Sequence, residues 1–95
     1  METAITGEAG IEAARRLKPD VIIMDVVMPG LNGFEATRML SRDHNTATIP
    51  VIILSTKNGE SDRVWGMRQG ASDYLFKPVS RGDLLSSVDA VLESA

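Results

Sequence analysis

Val21-Ile22-Ile23-Met24-Asp25 sets four apolar residues, three of them β-branched, directly before a carboxylate, with Pro19 two positions ahead of the run. A buried helix needs a longer apolar stretch, and a proline just upstream disfavours helix continuation into it. The run does not alternate with polar residues, as a strand with one wet face does. It therefore reads as a parallel strand covered on both faces. The pattern returns at Val51-Ile52-Ile53-Leu54, between Pro50 and Ser55-Thr56, and in shorter form at Tyr74-Leu75-Phe76, ahead of Lys77-Pro78.

The segments between these runs have helical spacing. Residues 8–17 put Ile11, Ala14 and Leu17 on one stripe, and residues 33–42 place Phe34, Thr37 and Met39/Leu40 similarly. Residues 60–69 carry Val64, Trp65 and Met67 as an apolar set, and Gly70 follows as a C-terminal cap. Ser80 is an N-cap ahead of the acidic first turn at Asp83, and Val88, Val91 and Leu92 continue the last helix's apolar face. A strand-like fragment, residues 2–5, stands in front. Alternation on this scale predicts an α/β domain with a parallel sheet and right-handed crossovers. With no repeat, linker or low-complexity tract, residues 1–95 read as one domain.

Composition removes several classes of function. The formal net charge is −3 and no lysine or arginine run stands out, so neither a nucleic-acid surface nor attachment to anionic membrane is expected. There is no cysteine, which excludes disulfides and thiolate metal sites, and His44 is the one histidine. No segment has the apolar length of a membrane span, and the start of the chain has neither the basic region nor the apolar core of a secretory signal. A cytoplasmic location is the default expectation.

Chemistry is expected beyond the carboxyl ends of the strands, where open parallel sheets bind their ligands. Asp25, Ser55-Thr56 and Lys77 each follow an apolar run. On adjacent parallel strands they would bring a carboxylate nucleophile, a hydroxyl donor and a cation to one edge, a set suited to phosphoryl transfer. Either hydroxyl can be the inward one; Ser55 is preferred because it ends its run. Pro29 and two glycines shape the loop after Asp25, and the Lys77-Pro78 bond is a candidate for the cis form.

The stretch Asp25-Val26-Val27-Met28-Pro29, then Gly33, Pro50 to Ser55, Gly70-Ala71-Ser72-Asp73-Tyr74 and Lys77-Pro78 resembles the receiver domain of two-component response regulators. The residues around 55–58 and 62–70 are most similar to chemotaxis-like, single-domain regulators of pilus-driven twitching motility. The resemblance implies a flavodoxin-like, three-layer fold and phosphorelay signalling rather than enzymatic turnover. It implies a phosphoacceptor at Asp25, a phosphoryl-oxygen contact and a switch at Ser55, and at Lys77 a partner of the phosphoryl group or, before phosphorylation, of Asp25. Tyr74 would be the aromatic switch, and the backbone carbonyl of Val27 a ligand, with Asp25, of Mg²⁺. The implied partners are a histidine kinase and a protein target. The target would meet the face made by the helix at 60–69, the strand at 74–76 and the last helix, the family's fourth helix, fifth strand and fifth helix.

One departure bears on both chemistry and folding. Receivers begin with a strand ending in an acidic pair, then a first helix, and neither is found here. Mg²⁺ binding is therefore expected to be weak or absent, because Asp25 and Val27 supply only part of an octahedral shell. In the flavodoxin-like order 2-1-3-4-5 the missing strand is interior, which would leave residues 21–24 with an open edge. Three outcomes are then foreseen: residues 2–5 pair directly with 21–24, two chains associate edge to edge as a homodimer, or the sequence is a piece truncated at its N-terminus. The last, with self-association as its consequence, is the preferred expectation. The alternative function is a degenerate receiver-fold interaction module that is not phosphorylated. A flavin or nucleotide binder is disfavoured, since no phosphate-cradling glycine loop follows any strand. Trp65 reads as packing or a surface contact, Met24, Met28, Met39 and Met67 as core or loop filler, and His44, Arg15 and Arg16 as solvated.

Overall fold

Four strands lie side by side in one parallel sheet: β1 (Thr3–Thr6), β2 (Val21–Asp25), β3 (Val51–Ser55) and β4 (Asp73–Phe76), in that spatial order. Among the described residues there are three helices, α1 (Gly33–Arg42), α2 (Glu60–Arg68) and α3 (Arg81–Ser94). The structure, a computed structural model, describes residues 3–6, 19–25, 33–56 and 59–94. The helix expected at 8–17 and the loop at 26–32, with Val27 and Met28, lie outside the described residues.

The unbroken apolar runs are explained by burial on both faces. Successive strand side chains point to opposite sides, so each run feeds two cores at once. Ile22, Met24, Val51, Ile53 and Tyr74 pack with Ala36 and Leu40 of α1 and with Ala71. Val21 and Ile52 point the other way, onto Val88 and Val91 of α3. The arrangement is three layers, with α1 and α2 on one side of the sheet and α3 on the other.

β1 runs parallel to β2, pairing Thr3 with Val21 through Thr6 with Met24. Of the three foreseen outcomes, direct pairing is the one observed. β2 has a neighbour on each side, so edge-to-edge association through β2 loses its premise. The outer strands are β1 and β4.

Local chemistry fixes the element ends. The Ser80 hydroxyl accepts the Asp83 backbone N–H at 3.0 Å and so caps α3. Past the end of α1, the buried Thr46 hydroxyl donates to the Leu40 carbonyl at 2.7 Å, satisfying a group that the helix end leaves open. Gly70 closes α2 with φ at +106°, a left-handed conformation that favours glycine.

Two expected helix stripes need correction. On α2, Val64 and Trp65 are 39% and 54% exposed, and the buried residue is Gly66. A Cβ on Gly66 would stand 2.7 and 2.9 Å from ring carbons of Tyr74, so α2 meets the sheet with its bare backbone. Met67, of the expected set, does pack on the core. On α1, Leu40 faces inward while Met39 is 45% exposed.

Candidate functional site

In a parallel sheet all carboxyl ends open on one edge, so adjacent strands lay their last residues together. β2 ends at Asp25, β3 at Ser55, and Lys77 directly follows Phe76, the last residue of β4. The register sets Asp25 beside Leu54 and Ser55 beside Phe76. Asp25 and Lys77 thus stand on either side of β3, about 10 Å apart at the backbone by two strand spacings.

Their side chains close that gap. Lys77 Nζ donates to Asp25 Oδ1 at 2.8 Å. The side chains are 25% and 27% exposed, so the ion pair is tightened by partial burial yet reachable from solvent. The lysine is aimed by its own backbone: its N–H donates to the Ser55 carbonyl at 2.7 Å, extending the β3–β4 ladder past the end of β4. The peptide bond to Pro78 is cis.

Ser55 is fully buried and Thr56 exposed, so Ser55 holds the inward position of the two. Among the described residues, no buried side-chain nitrogen or oxygen lacks a hydrogen-bond partner. Tyr74 is 4% exposed and lies under α2, its ring centroid 6.2 Å from that of Phe34 and 5.5 Å, edge-on, from that of Phe76. Trp65 sits beside Phe34, Glu35 and Arg38, on the side of α2 that borders α1.

The donor set bears on the expected magnesium. A near-octahedral ion needs several hard oxygens. Asp25 offers such a donor, but among the described residues no group of three or more His, Cys, Asp or Glu side chains able to hold a metal is present. Those residues alone do not form a metal cage.

Two contributors were not anticipated. Gly66 seats Tyr74, and its signal was a glycine inside a helical pattern, which usually marks a close approach. Asp73 joins β4 to α3: the Ser87 hydroxyl donates to Asp73 Oδ2, and the Tyr74 N–H donates to Asp73 Oδ1 at 2.8 Å. Nothing in the sequence flags a serine and an aspartate 14 positions apart as partners.

Comparison with known proteins agrees with this geometry. The response regulator receiver domain family matches residues 1–89. Protein PilH of Pseudomonas aeruginosa PAO1 is 58% identical over 89 residues, covering 94% of this chain and 74% of PilH. Of longer relatives the chain spans less, 39% of one transcriptional regulator and 42% of another. Vibrio cholerae chemotaxis protein CheY4 superimposes with a TM-score of 0.78 at 30% identity, over 85% of this chain and 68% of that one. The receiver domain of a Pseudomonas aeruginosa sensor histidine kinase, solved with magnesium in its active-site cleft, gives 0.79 at 30% identity over 90% and 70%. With a family match over nearly its whole length and receivers as its structural neighbours, this chain belongs to the response regulator receiver domain family.

Proposed function

We propose that the chain, acting as one receiver unit in the cytoplasm, takes a phosphoryl group from a histidine kinase onto Asp25. The phosphohistidine N–P bond breaks, a bond forms between a carboxylate oxygen of Asp25 and phosphorus, and the imidazole nitrogen keeps the electron pair and takes up a proton. The observation that supports this most is the 2.8 Å contact between Lys77 Nζ and Asp25 Oδ1. An ammonium held against the nucleophile lowers the repulsion between a carboxylate and an incoming phosphoryl dianion, and can transfer its pairing to the phosphoryl oxygens afterwards. The Ser55 hydroxyl then contacts a phosphoryl oxygen, and movement of the β3 end reaches Tyr74, whose ring packs where α2 meets the sheet.

Receivers generally bind Mg²⁺ at this site. Here the Asp25 carboxylate, the Val27 carbonyl and water would hold it, weakly. The output is protein contact at the α2–β4–α3 face, where Val64, Phe76 and Leu85 are exposed. The likeness to single-domain twitching-motility regulators favours a target in pilus control. The outer edge of β1 is where a second copy would pair.

The experiment is phosphotransfer from a phosphohistidine kinase domain, read by intact mass. Wild type gains one phosphoryl group and Asp25→Asn gains none. Labelling of the Asn variant, or of neither protein, rejects the assignment. The absence of a metal-holding carboxylate group among the described residues favours the second reading, a non-phosphorylated interaction module. That reading gives partner binding indifferent to phosphodonor and to Mg²⁺.

A further inference from the structure

α1 and α2 border a groove that takes no part in the Asp25 site. At one end it holds about 310 Å³, lined by Arg38, Ser41, Arg42, Trp65, Arg68 and Gln69. It continues toward Phe34 and Glu35 as a smaller recess of about 200 Å³ that shares Arg38, Trp65 and Gln69. Helical spacing explains the lining. Arg38 and Arg42 stand one turn apart on α1, and Trp65, Arg68 and Gln69 are three and four apart on the facing side of α2.

The groove is a held structure. The Ser41 hydroxyl, on α1, is 3.0 Å from the Gln69 carbonyl and 2.9 Å from that of Arg38. A Cβ on Gly70 would lie 2.6 Å from Ser41 Cβ, so the two segments meet as closely as a glycine permits. The Gln69 amide donates to the Trp65 carbonyl at 3.3 Å, which orients that side chain along α2.

Its charge runs against that of the chain. Three guanidinium groups gather at the wider end with no carboxylate among the lining residues there, on a protein whose net charge is −3. Among the described residues, none of the three arginines has an ion pair or a side-chain hydrogen bond. Beside them Trp65, 54% exposed, is the most exposed large hydrophobic residue among those described. Like charges lining one groove repel, and an anion arriving among them relieves the repulsion through their N–H donors.

We propose that this groove docks an acidic peptide segment of a partner protein, with Arg38, Arg42 and Arg68 taking its carboxylates and Trp65 taking an apolar side chain. A peptide fits better than a small phosphate ligand because the groove is open along its length. Small-ligand sites bury most of their occupant, whereas a channel running from residue 35 to 42 of a helix, about 10 Å at 1.5 Å per residue, suits a few residues of extended chain. The site does not depend on the phosphoacceptor reading, since it uses no residue of that site.

The test is fluorescence anisotropy with a labelled eight-residue peptide of alternating glutamate and leucine, together with the emission of Trp65, the single tryptophan. Wild type binds saturably with a blue shift of Trp65, and affinity falls several-fold as salt rises through the physiological range. The triple variant Arg38→Gln/Arg42→Gln/Arg68→Gln, checked for folding by circular dichroism, binds at least tenfold more weakly, as does the corresponding triple change to Glu. Trp65→Ala loses affinity several-fold. Arg63→Glu, on α2 but outside the groove, and Asp25→Asn both bind as wild type does. Unchanged Trp65 emission at saturating peptide, or equal binding by the Gln variant, overturns the proposal. Pyrophosphate that binds as tightly as the peptide and displaces it overturns it in favour of a phosphate pocket.

Discussion

Lys77 illustrates how far one side chain's placement depends on its neighbours. It reaches Asp25 across the end of β3 because its own N–H is tied to the Ser55 carbonyl. A pair this exposed contributes little to folding, on the order of 1 kcal/mol or less, because water competes for both charges. In the proposed transfer its effect on an arriving phosphoryl group is larger, because the ammonium is already held where the negative charges meet. Lys77→Met is therefore expected to shift the denaturation midpoint only slightly while slowing phosphotransfer to Asp25 by on the order of 10²-fold. Urea melts and a phosphotransfer time course on the same preparation check the two halves separately. A large stability loss with unchanged transfer would show the pair to be structural. At this scale the sequence is informative: Asp25 and Lys77 each follow an apolar run, and parallel strands leave such residues on one edge. The Ser87–Asp73 contact was hidden because α3 supplies one partner and β4 the other, and no local pattern couples them.

The packing of α2 on β4 turns on one missing side chain. Gly66 lets the helix backbone approach the Tyr74 ring, where an added Cβ would lie 2.7 Å from a ring carbon. Gly66→Ala gains about 1 kcal/mol of helix propensity, but overpacking costs about 1–3 kcal/mol, so the net change is destabilising unless Tyr74 leaves its seat. Trimming the ring should reverse the sign. Gly66→Ala in a Tyr74→Leu background is expected to be neutral or stabilising, and thermal melts of the four proteins in the double-mutant cycle measure the coupling. Additive effects would mean that the two residues do not meet. The same contact shows why the apolar stripe on α2 was misjudged. Counting hydrophobic residues favours Val64 and Trp65, whereas glycine has no side chain to count and still occupies the buried position. The strands raised no such difficulty, since runs such as Val51 to Ile53 are buried along both faces and depend on no choice of face.

At the scale of the molecule, the described residues form two cores that share one sheet. Ile53 belongs to the α1/α2 side and Ile52 to the α3 side, and both are fully buried. Ile52→Ala is expected to remove about 2–5 kcal/mol through lost burial and a residual cavity, a large part of the about 5–15 kcal/mol that holds a typical domain. Because β2 and β3 serve both layers, the loss should appear as one lowered transition by tryptophan emission and by circular dichroism alike. Two separate transitions would show that the layers unfold independently. Strand order was the feature least legible at this scale. The family's usual order predicts an interior gap beside β2, whereas β1 pairs with β2 directly, a long-range choice that a four-residue segment does not announce.

The sheet's second face owes its cover, among the described residues, to α3, the last of the elements in chain order. During synthesis the strands therefore leave the ribosome before α3, and among the described residues Val21 and Ile52 gain their cover only when Val88 and Val91 have emerged. A nascent chain that already holds Asp25, Ser55 and Lys77 still lacks one of the two layers packed on their strands. The phosphoryl acceptance proposed at Asp25 is thus tied to completion of α3, a helix that contributes none of those three residues.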